Sequence, residues 1–393
     1  DQIYQSAVSF FIRRGGGWPL TMFLTPDQIP FYGGTYFPPQ DRYGMPGFPT
    51  ILEKVASVYQ EQHEAVLETA VNVQKAMQTF SSVVTERGSV SSDILSRAVQ
   101  GLLPLFDTTD GGFGSAPKFP STASLDLFLR YADQTHDPTF SNRVTYTLGK
   151  MAWGGIYDQL GGGFHRYSTD AHWLVPHFEK MLYDNAQLTR LYFSAYQATG
   201  QSFYSQIAEE TLEYVLREMT DPSGGFYTTQ DADSEGEEGL FFVWTPDQIK
   251  SLLSERDGEL LCRYYQVTSS GNFDGKTILA VNRPLSMVSH EMGLSLEDAQ
   301  TALKNGKKQL LLAREKRIKP FRDEKILTSL NGLMIGAFID GYQITRKKAY
   351  LAAAENAARF ITDHLYKEGR LLHTYKDRIS KLNGYLDDYA YFM

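Results

Sequence analysis

Beyond residue 90, apolar residues recur at helical spacing along most of the chain, with polar residues filling the positions between them. The pattern predicts helices over 92–106, 122–134, 139–153, 177–199, 201–219, 295–318, 326–344 and 347–365. We therefore expect a mostly α fold. A shorter stretch, 271–281, is read as a turn and strand inserted between helices.

A glycine-glycine-phenylalanine motif punctuates the helices. Its first glycine falls at positions 111, 162 and 224, so the intervals are 51 and 62 residues, and each interval holds two predicted helices. Internal repeats of this length indicate a repetitive helical architecture. We expect an α/α toroid whose glycine-rich loops line a central cavity, with a solenoid of helix pairs as the competing geometry.

The first 85 residues carry a different pattern. Predicted strands over 18–25 and 29–36 form a hairpin between a helix at 1–11 and a long amphipathic helix over 48–80. This order matches the second half of a thioredoxin-like fold, in which a cis-proline precedes the third strand. We therefore expect the Trp18–Pro19 bond to be cis. The predicted domains are 1–85, a partial thioredoxin-like domain lacking its first βα unit, and 90–393, a partial toroid with an insertion at about 245–320.

Composition narrows the class of protein. The 393 residues carry a net charge of −8 and show no basic stripe, which argues against a nucleic-acid partner. No apolar run reaches the roughly 18–20 residues that cross a bilayer, so we expect a cytoplasmic protein without a membrane partner. The single cysteine, Cys262, excludes an intramolecular disulfide and lies in an apolar context typical of an inert thiol.

Residues 161–188 combine a glycine-rich turn with His165, His172 and His177 and several charged groups. Pro176 suits the first turn of a helix, so we expect a helix to begin at about His177 and to carry Glu179, Lys180, Asp184 and Asn185 in its first turns. Such a concentration of ionisable groups favours a carbohydrate-type active site. The alternative is a structural polar network in which the imidazoles hold the turn.

A second acidic cluster follows at 231–238. Asp231 and Asp233 alternate along an extended segment and therefore point to one side, as a glycoside hydrolase pair would with Asp387 or Asp388 as partner. Glu237 and Glu238 are read as a solvated turn. The sequence lacks the residue spacing of an EF-hand calcium loop and of a zinc-ligand motif. We therefore predict no metal and no cofactor.

Several motifs occur in the order typical of one family. They are Arg14-Gly-Gly-Gly-Trp-Pro-Leu-Thr21, Gly33-Gly-Thr-Tyr-Phe-Pro-Pro39, the 161–188 stretch, Gln230-Asp-Ala-Asp-Ser-Glu235, Leu327-Thr-Ser-Leu-Asn-Gly332 and Leu386-Asp-Asp-Tyr-Ala390. Along its whole length the chain resembles the YyaL-type, or spermatogenesis-associated thioredoxin-domain, family. The resemblance implies a thioredoxin-like domain followed by a six-hairpin toroid similar to N-acylglucosamine 2-epimerases and six-hairpin glycosidases. The family's usual Cys-His-Trp-Cys-type motif would lie upstream, and only about four hairpins are expected, so both ends look truncated.

The resemblance also implies a chemistry, since epimerases of this toroid type use paired histidines. Histidine suits this role because its pKa lies near the working pH. We predict a carbohydrate-active or carbohydrate-binding protein that takes a sugar ligand, with His177, His165, Asp231 and Asp388 as catalytic residues converging on one cavity. Predicted substrate-binding residues are Arg166, His172, Trp173, Glu179, Lys180, Asp184, Asn185, Asp233, Trp244, Asn331, Asp387 and Tyr389.

Three alternatives stay open. The first is a scaffold or interaction protein with a degenerate pocket, which engages a protein partner through the thioredoxin-like domain. The second is a thiol oxidoreductase whose cysteines lie outside this chain. The third is a glycoside hydrolase that uses paired carboxylates instead of paired histidines.

Overall fold

The computed structural model describes residues 2–12, 16–42, 44–81, 91 and 93–393. Arg14 and Gly15 of the first glycine motif lie outside these residues, as do 82–85 at the end of the predicted first domain. The chain divides into two compact units, Asp1–Val90 and Ser91–Met393.

The first unit places a strand hairpin among three helices. Its elements are α1 (Gln2–Ile12), β1 (Thr21–Leu24), β2 (Pro30–Gly34), α2 (Phe48–Glu61) and α3 (His63–Ser81). The antiparallel hairpin pairs Thr21 with Gly34, and α1 and α3 both pack against β2. The Trp18–Pro19 peptide bond is cis, as predicted. The predicted long helix is two helices, because the backbone of Gln62 leaves the helical region.

The second unit is mostly helical. Its helices are α4 (Ile94–Leu102), α5 (Thr122–Thr135), α6 (Pro138–Trp153), α7 (Leu182–Thr199), α8 (Ser202–Glu218), α9 (Pro246–Leu252), α10 (Glu255–Tyr264), α11 (Leu285–Glu291), α12 (Leu296–Arg314), α13 (Thr328–Thr345), α14 (Lys348–His364) and α15 (Leu386–Phe392). One 3-10 turn, Leu103–Leu105, follows α4.

Short strands join these helices. They are β3 (Tyr167–Ser168), β4 (Pro176–His177), β5 (Lys180–Met181), β6 (Thr229–Gln230), β7 (Asp233–Ser234), β8 (Glu237–Glu238), β9 (Arg322–Asp323), β10 (Ile326–Leu327), β11 (Tyr366–Lys367), β12 (Arg370–Lys376) and β13 (Ile379–Asn383). The pairs β3–β4 and β7–β8 stand alone, whereas β6 lies between β5 and β9. The predicted strand over 271–281 is wrong, since that segment makes only isolated bridges, such as Trp244 with Thr277.

The helices form two layers. In the first layer α5, α7, α13 and α15 contact one another in that order, and α6, α8 and α14 pack against them as hairpin partners. A continuous apolar core fills the space between the layers, with Phe128, Tyr192 and Phe338 fully buried. This arrangement of helical hairpins is that of an incomplete (α/α)6-type toroid, so the predicted fold class is confirmed. Helices α9–α12 are inserted between the second and third hairpins.

Candidate functional site

The glycine-glycine-phenylalanine motif builds the same turn in successive repeats. The amide of Asp158 donates to the carbonyl of Gly163 at 3.0 Å, and Asp107 and Asp221 make the equivalent bonds to Gly112 and Gly225. A Cβ on Gly163, where φ is +79°, would lie 2.5 Å from the Tyr214 ring. The turn therefore requires glycine for both its backbone conformation and its close packing.

The second and third of these turns are each clamped to the first-layer helix that follows. The side chain of Asn185 accepts from Phe164 N at 2.7 Å and donates to Phe164 O at 3.1 Å, and Asn331 repeats this with Phe226 at 2.7 and 3.0 Å. At the next repeat the Tyr389 hydroxyl accepts from the Leu371 amide at 3.0 Å. The predicted substrate-binding role of these three side chains is corrected: their polar groups are engaged by the backbone and hold the repeats together.

Beneath the second turn lies a buried ionic triad of Asp158, Lys180 and Arg314. Arg314 makes two hydrogen bonds to Asp158, at 2.8 and 2.9 Å, and Lys180 Nζ donates to Asp158 at 2.8 Å and to Gly162 O at 2.9 Å. Burial lowers the pKa of Lys180 to about 8. Although burial opposes ionisation of Asp158 as well, the two cations hold its pKa well below the usual range. Lys180 is thus a structural cation and not, as predicted, a substrate ligand.

His165 is also enclosed. Its ring packs 4.8 Å from Phe242 and 5.3 Å from Phe178, and Nδ1 lies 2.8 Å from the carbonyl of Phe178. Burial, reinforced by the charge of Lys180, lowers the pKa of His165 to about 3. The imidazole is therefore neutral at physiological pH, in an apolar pocket rather than a solvent-facing one.

A second, half-exposed cluster surrounds the N-terminal end of α7. Arg166 donates to Glu179 at 2.9 Å and interacts electrostatically with Tyr183, and Glu179 lies 3.9 Å from His177 Nε2. The other ring nitrogen of His177 lies 2.7 Å from Glu238. These side chains, with Asp184, form what we call the α7 cluster: Arg166, His177, Glu179, Tyr183, Asp184 and Glu238. The structure thus brings together four predicted site residues and adds Tyr183 and Glu238, which sequence reasoning missed.

Asp184 is the least satisfied member of the α7 cluster. It lies in the first turn of α7, and its Oδ2 is buried without a hydrogen-bond partner in the described residues. Burial raises the pKa of Asp184 to about 7, with a further contribution from Glu179, although Arg166 opposes it. A carboxyl group that keeps its proton near neutrality is a donor as well as an acceptor.

An aromatic ledge borders the α7 cluster. The rings of Phe119 and Tyr167 lie 4.8 Å apart, and those of Tyr167 and His177 stack at 5.0 Å with an interplanar angle of 21°. Phe119 is exposed and Tyr167 is half-buried. The ledge is thus a column of three rings beside the carboxyl groups, with the exposed Phe119 at one end and His177 at the other.

The position of His177 corrects one prediction. Pro176 and His177 form β4, which pairs with Tyr167 and Ser168, and α7 begins only at Leu182. The expected helix start was wrong because Pro176 takes an extended, paired conformation instead of opening a helix. His177 therefore does not lie at a helix N-terminus.

Three further predicted side chains lie elsewhere. Trp173 is fully buried and donates to Asp110 O at 2.9 Å, which corrects its predicted contact with substrate. His172 is exposed, with Nδ1 2.7 Å from Asp110. Trp244 is buried against the Arg317 guanidinium, 4.0 Å from the ring centroid, so its predicted ligand contact is corrected too.

The acidic residues divide between surface and interior. Asp231 and Asp233 are both exposed whereas Ala232 and Ser234 are buried, so the two acids share the solvent side of the segment as predicted. Asp387 is exposed.

Asp388 is buried and capped from three directions. It accepts from Ser329 N at 2.9 Å and from Tyr385 N at 2.8 Å, and it lies 2.8 Å from His373 Nδ1. Its carboxylate thus joins α13 to α15. Among the described hydrogen bonds and ion pairs, none links any two of the four predicted catalytic residues, and each has its own set of partners.

Burial raises the pKa of the Cys262 thiol. Across the described ranges, no helix is long and apolar enough to cross a membrane. In that same part of the chain, no group of three or more His, Cys, Asp or Glu side chains is placed to hold a metal ion.

Comparison with known proteins places this fold in a family. Residues 1–78 match the Thioredox_DsbH family, whose description is "Protein of unknown function, DUF255". The whole chain is 36% identical to human spermatogenesis-associated protein 20 over 433 residues, covering 55% of that protein, and the mouse protein gives the same identity over 434 residues and 55%. The chain thus spans about half the length of the curated relatives it matches.

Solved structures give weaker likenesses. Cellobiose 2-epimerase from Spirochaeta thermophila is 17% identical, with a TM-score of 0.32 over 75% of this chain and 91% of that one. The GH76A α-1,6-mannanase from Salegentibacter is 13% identical, with a TM-score of 0.37 over 94% and 72%. These scores are too low to carry an argument about function.

The fold is that of a thioredoxin-like unit joined to a helical-hairpin toroid. Along its whole length the chain is similar to the spermatogenesis-associated thioredoxin-domain proteins, as its motifs predicted.

Proposed function

We propose that the helical unit binds a carbohydrate at the α7 cluster and acts on it by acid–base chemistry, with Asp184 as the proton donor. The observation that carries this proposal is the buried, unpartnered carboxyl oxygen of Asp184 beside the Arg166–Glu179 ion pair. Buried polar groups in folded proteins are almost always hydrogen-bonded, and each exception calls for an explanation. A ligand hydroxyl or bridging oxygen would supply the missing partner.

The protonation states fit the proposal. A general acid must hold its proton near the working pH, and the pKa of Asp184, raised to about 7 by burial, meets that requirement. Glu179 forms an ion pair with Arg166 at 2.9 Å. One protonated and one ionised carboxyl group is the combination that glycoside hydrolysis uses.

The aromatic ledge supports the choice of ligand class. Phe119, at the exposed end of the stack with Tyr167 and His177, offers an aromatic ring, and the C–H groups on one face of a sugar ring pack well against aromatic rings. The carboxyl, guanidinium and phenol groups of the α7 cluster lie next to this surface and match a ring bearing several hydroxyl groups. Hydrophobic and hydrogen-bonding contacts are thus available together.

The burial of His165 favours paired carboxylates over paired histidines. An acid–base histidine should titrate near the working pH, whereas the pKa of His165 is lowered to about 3 by burial. His177 retains a place in the site through its contacts with Glu179 and Glu238. In this proposal His177 orients the carboxylates of Glu179 and Glu238.

A second candidate function is an interaction scaffold. The buried Asp158–Lys180–Arg314 triad favours it, because a polar network filling the loop region is what that alternative predicts. The two candidates differ in whether the α7 cluster binds a sugar.

The test is a panel of neutral mono- and oligosaccharides, followed by ligand-observed NMR for binding and by proton NMR for turnover. The wild-type 393-residue chain is compared with Asp184→Asn and with Asp363→Asn, an exposed site on the outer helix α14. We expect Asp184→Asn to lower turnover by about a hundredfold or more, as loss of a general acid does, while Asp363→Asn leaves it unchanged.

Sugar binding that disappears in Asp184→Asn and survives in Asp363→Asn would also support the site. Failure of every sugar to bind, or equal turnover by all three proteins, would contradict the proposal and favour the scaffold.

A further inference from the structure

A cavity lies outside the α7 cluster, in the groove between α8 of the toroid and α12 of the insertion. Its volume is about 670 Å³. One wall is a single face of α12, formed by Gln300, Leu303, Lys304 and Lys307, whose spacing places them on one side of the helix. The opposite wall is the face of α8 that carries Glu210.

One end of the groove is aromatic. Trp153, at the end of α6, is 51% exposed, and its ring lies 6.0 Å from that of Phe203. Tyr264 from α10 lines the same groove. A half-exposed indole beside two further rings is a stacking surface for a flat ligand.

The acidic groups of the groove already have partners. Glu210 accepts from the Tyr157 hydroxyl at 2.6 Å and from Gln206 at 2.8 Å. Glu213 accepts from the Tyr350 hydroxyl at 2.9 Å. Both carboxylates are therefore held by neutral donors at closer range than the 3.7 Å contact between Glu210 and Lys307.

The lysines of the α12 wall are the uncommitted groups. Within the described ranges, Lys304 makes no hydrogen bond or ion pair, and the one ion pair of Lys307 is a long contact of 3.7 Å to Glu210. The two residues are three positions apart on the helix, so their ammonium groups can reach one anion together. In a chain with a net charge of −8, this groove is an exception, because Lys304, Lys307 and Arg217 outnumber Glu210 and Glu213 along its walls.

We propose that this groove binds a ligand that joins a flat heteroaromatic ring to a phosphate, the chemistry of a mononucleotide. The ring stacks on Trp153, and the phosphate is held by Lys304 and Lys307. The site is separate from the α7 cluster and does not depend on the function proposed there.

The experiment is isothermal titration calorimetry of the 393-residue chain with adenosine monophosphate, adenosine and ribose 5-phosphate. We expect the monophosphate to bind at least about tenfold more tightly than either fragment, because each fragment lacks one of the two contacts. Trp153→Ala should weaken binding about tenfold through loss of stacking. Lys304→Ala combined with Lys307→Ala should weaken it by a similar factor, about tenfold, through loss of the charge-assisted contacts.

The matched control is Lys308→Ala, which removes an exposed lysine of the same helix that does not line the groove, and it should leave the affinity unchanged. Circular dichroism of each variant checks that the helices are retained, and Trp153→Leu replaces Trp153→Ala if the latter unfolds. Absence of nucleotide binding, equal binding of adenosine and the monophosphate, or an equal loss in Lys308→Ala would overturn the proposal.

Discussion

Glu179 and Lys180 are adjacent in the chain but belong to two different clusters of charged residues. Glu179 belongs to the half-exposed α7 cluster, whereas Lys180 belongs to the buried triad with Asp158 and Arg314. In the triad both oxygens of Asp158 accept hydrogen bonds from cations. In the α7 cluster a buried oxygen of Asp184 has no partner in the described residues. The contrast lies in the carboxylates, because each cluster also holds one buried arginine Nε without a partner, that of Arg314 in the triad and that of Arg166 in the α7 cluster.

Whether a buried carboxylate has partners for both of its oxygens distinguishes a structural ionic network from a candidate site better than residue type does. The triad and the α7 cluster both contain acidic and basic side chains close to the N-terminal end of α7. Burial shifts the pKa of Lys180 in the first and of Asp184 in the second. A buried network of paired charges adds little net stability to the fold. Removing one partner is nevertheless strongly destabilising, because it leaves an unpaired charge in the interior. A protonated acid with a free donor is available for chemistry.

The largest expected effect concerns the triad. Arg314→Met leaves Asp158 with Lys180 as its only cation in a buried site, and we expect the free energy of unfolding to fall by about 3–5 kcal/mol. Urea denaturation measures the change. Arg359→Met, at an exposed position on α14, is the control and should change stability by less than about 0.5 kcal/mol. A triad variant as stable as this control would show that the network is not structural.

The next largest effect concerns Asn331, whose side chain holds the turn at Phe226 against α13. Asn331→Ala leaves the Phe226 amide and two carbonyls without their partner, which should cost about 1–3 kcal/mol in urea denaturation. Asn305→Ala, on the exposed face of α12, should cost less than about 0.5 kcal/mol. Equal effects would contradict the structural role given to Asn331 and return it to the substrate-binding candidates.

The smallest expected effect is a gain in the free energy of unfolding rather than a loss. Because the pKa of Asp184 is raised by burial to about 7, its contribution to stability is present at low pH and is lost as the pH rises from about 4 to about 7. Asp184→Asn, which is neutral at every pH, should therefore be more stable than the wild type by about 1 kcal/mol at pH 8.5, a value reduced by partial exposure.

At pH 4 the two proteins should have nearly equal stability. Denaturation at both pH values tests this, with Asp363→Asn as the control. A variant less stable than wild type at pH 8.5 would assign Asp184 a stabilising ionic role.

The sequence predicted the helical repeats and most members of the α7 cluster because both are local. Arg166, Glu179 and Asp184 lie within 19 residues of one another, close to a glycine turn. Glu238 was read as solvated because its partner, His177, is 61 residues away. Pairing with Tyr167 and Ser168, rather than local preference, sets the conformation of Pro176.

The structural residues were harder to recognise. Asn331 looks like any polar residue at a helix start until its partner, the backbone of Phe226, is seen 105 residues away. Arg314 falls in the basic stretch 304–319 that reads as a solvated helix face, and Asp158 is 156 residues distant. Long-range partners decide whether a polar group is satisfied, and single-sequence patterns do not contain them.

The measurement that tests the central claim most directly is the pKa of the Asp184 carboxyl group. Carbon-13 NMR of aspartate-labelled protein, titrated from pH 3 to pH 9, would follow each side-chain carboxyl, and the resonance missing in Asp184→Asn would identify the one of interest. The account predicts a midpoint of about 7 for Asp184. A midpoint near the ordinary value of 3.8 would contradict it, because Asp184 would then be ionised at neutral pH and unable to donate a proton.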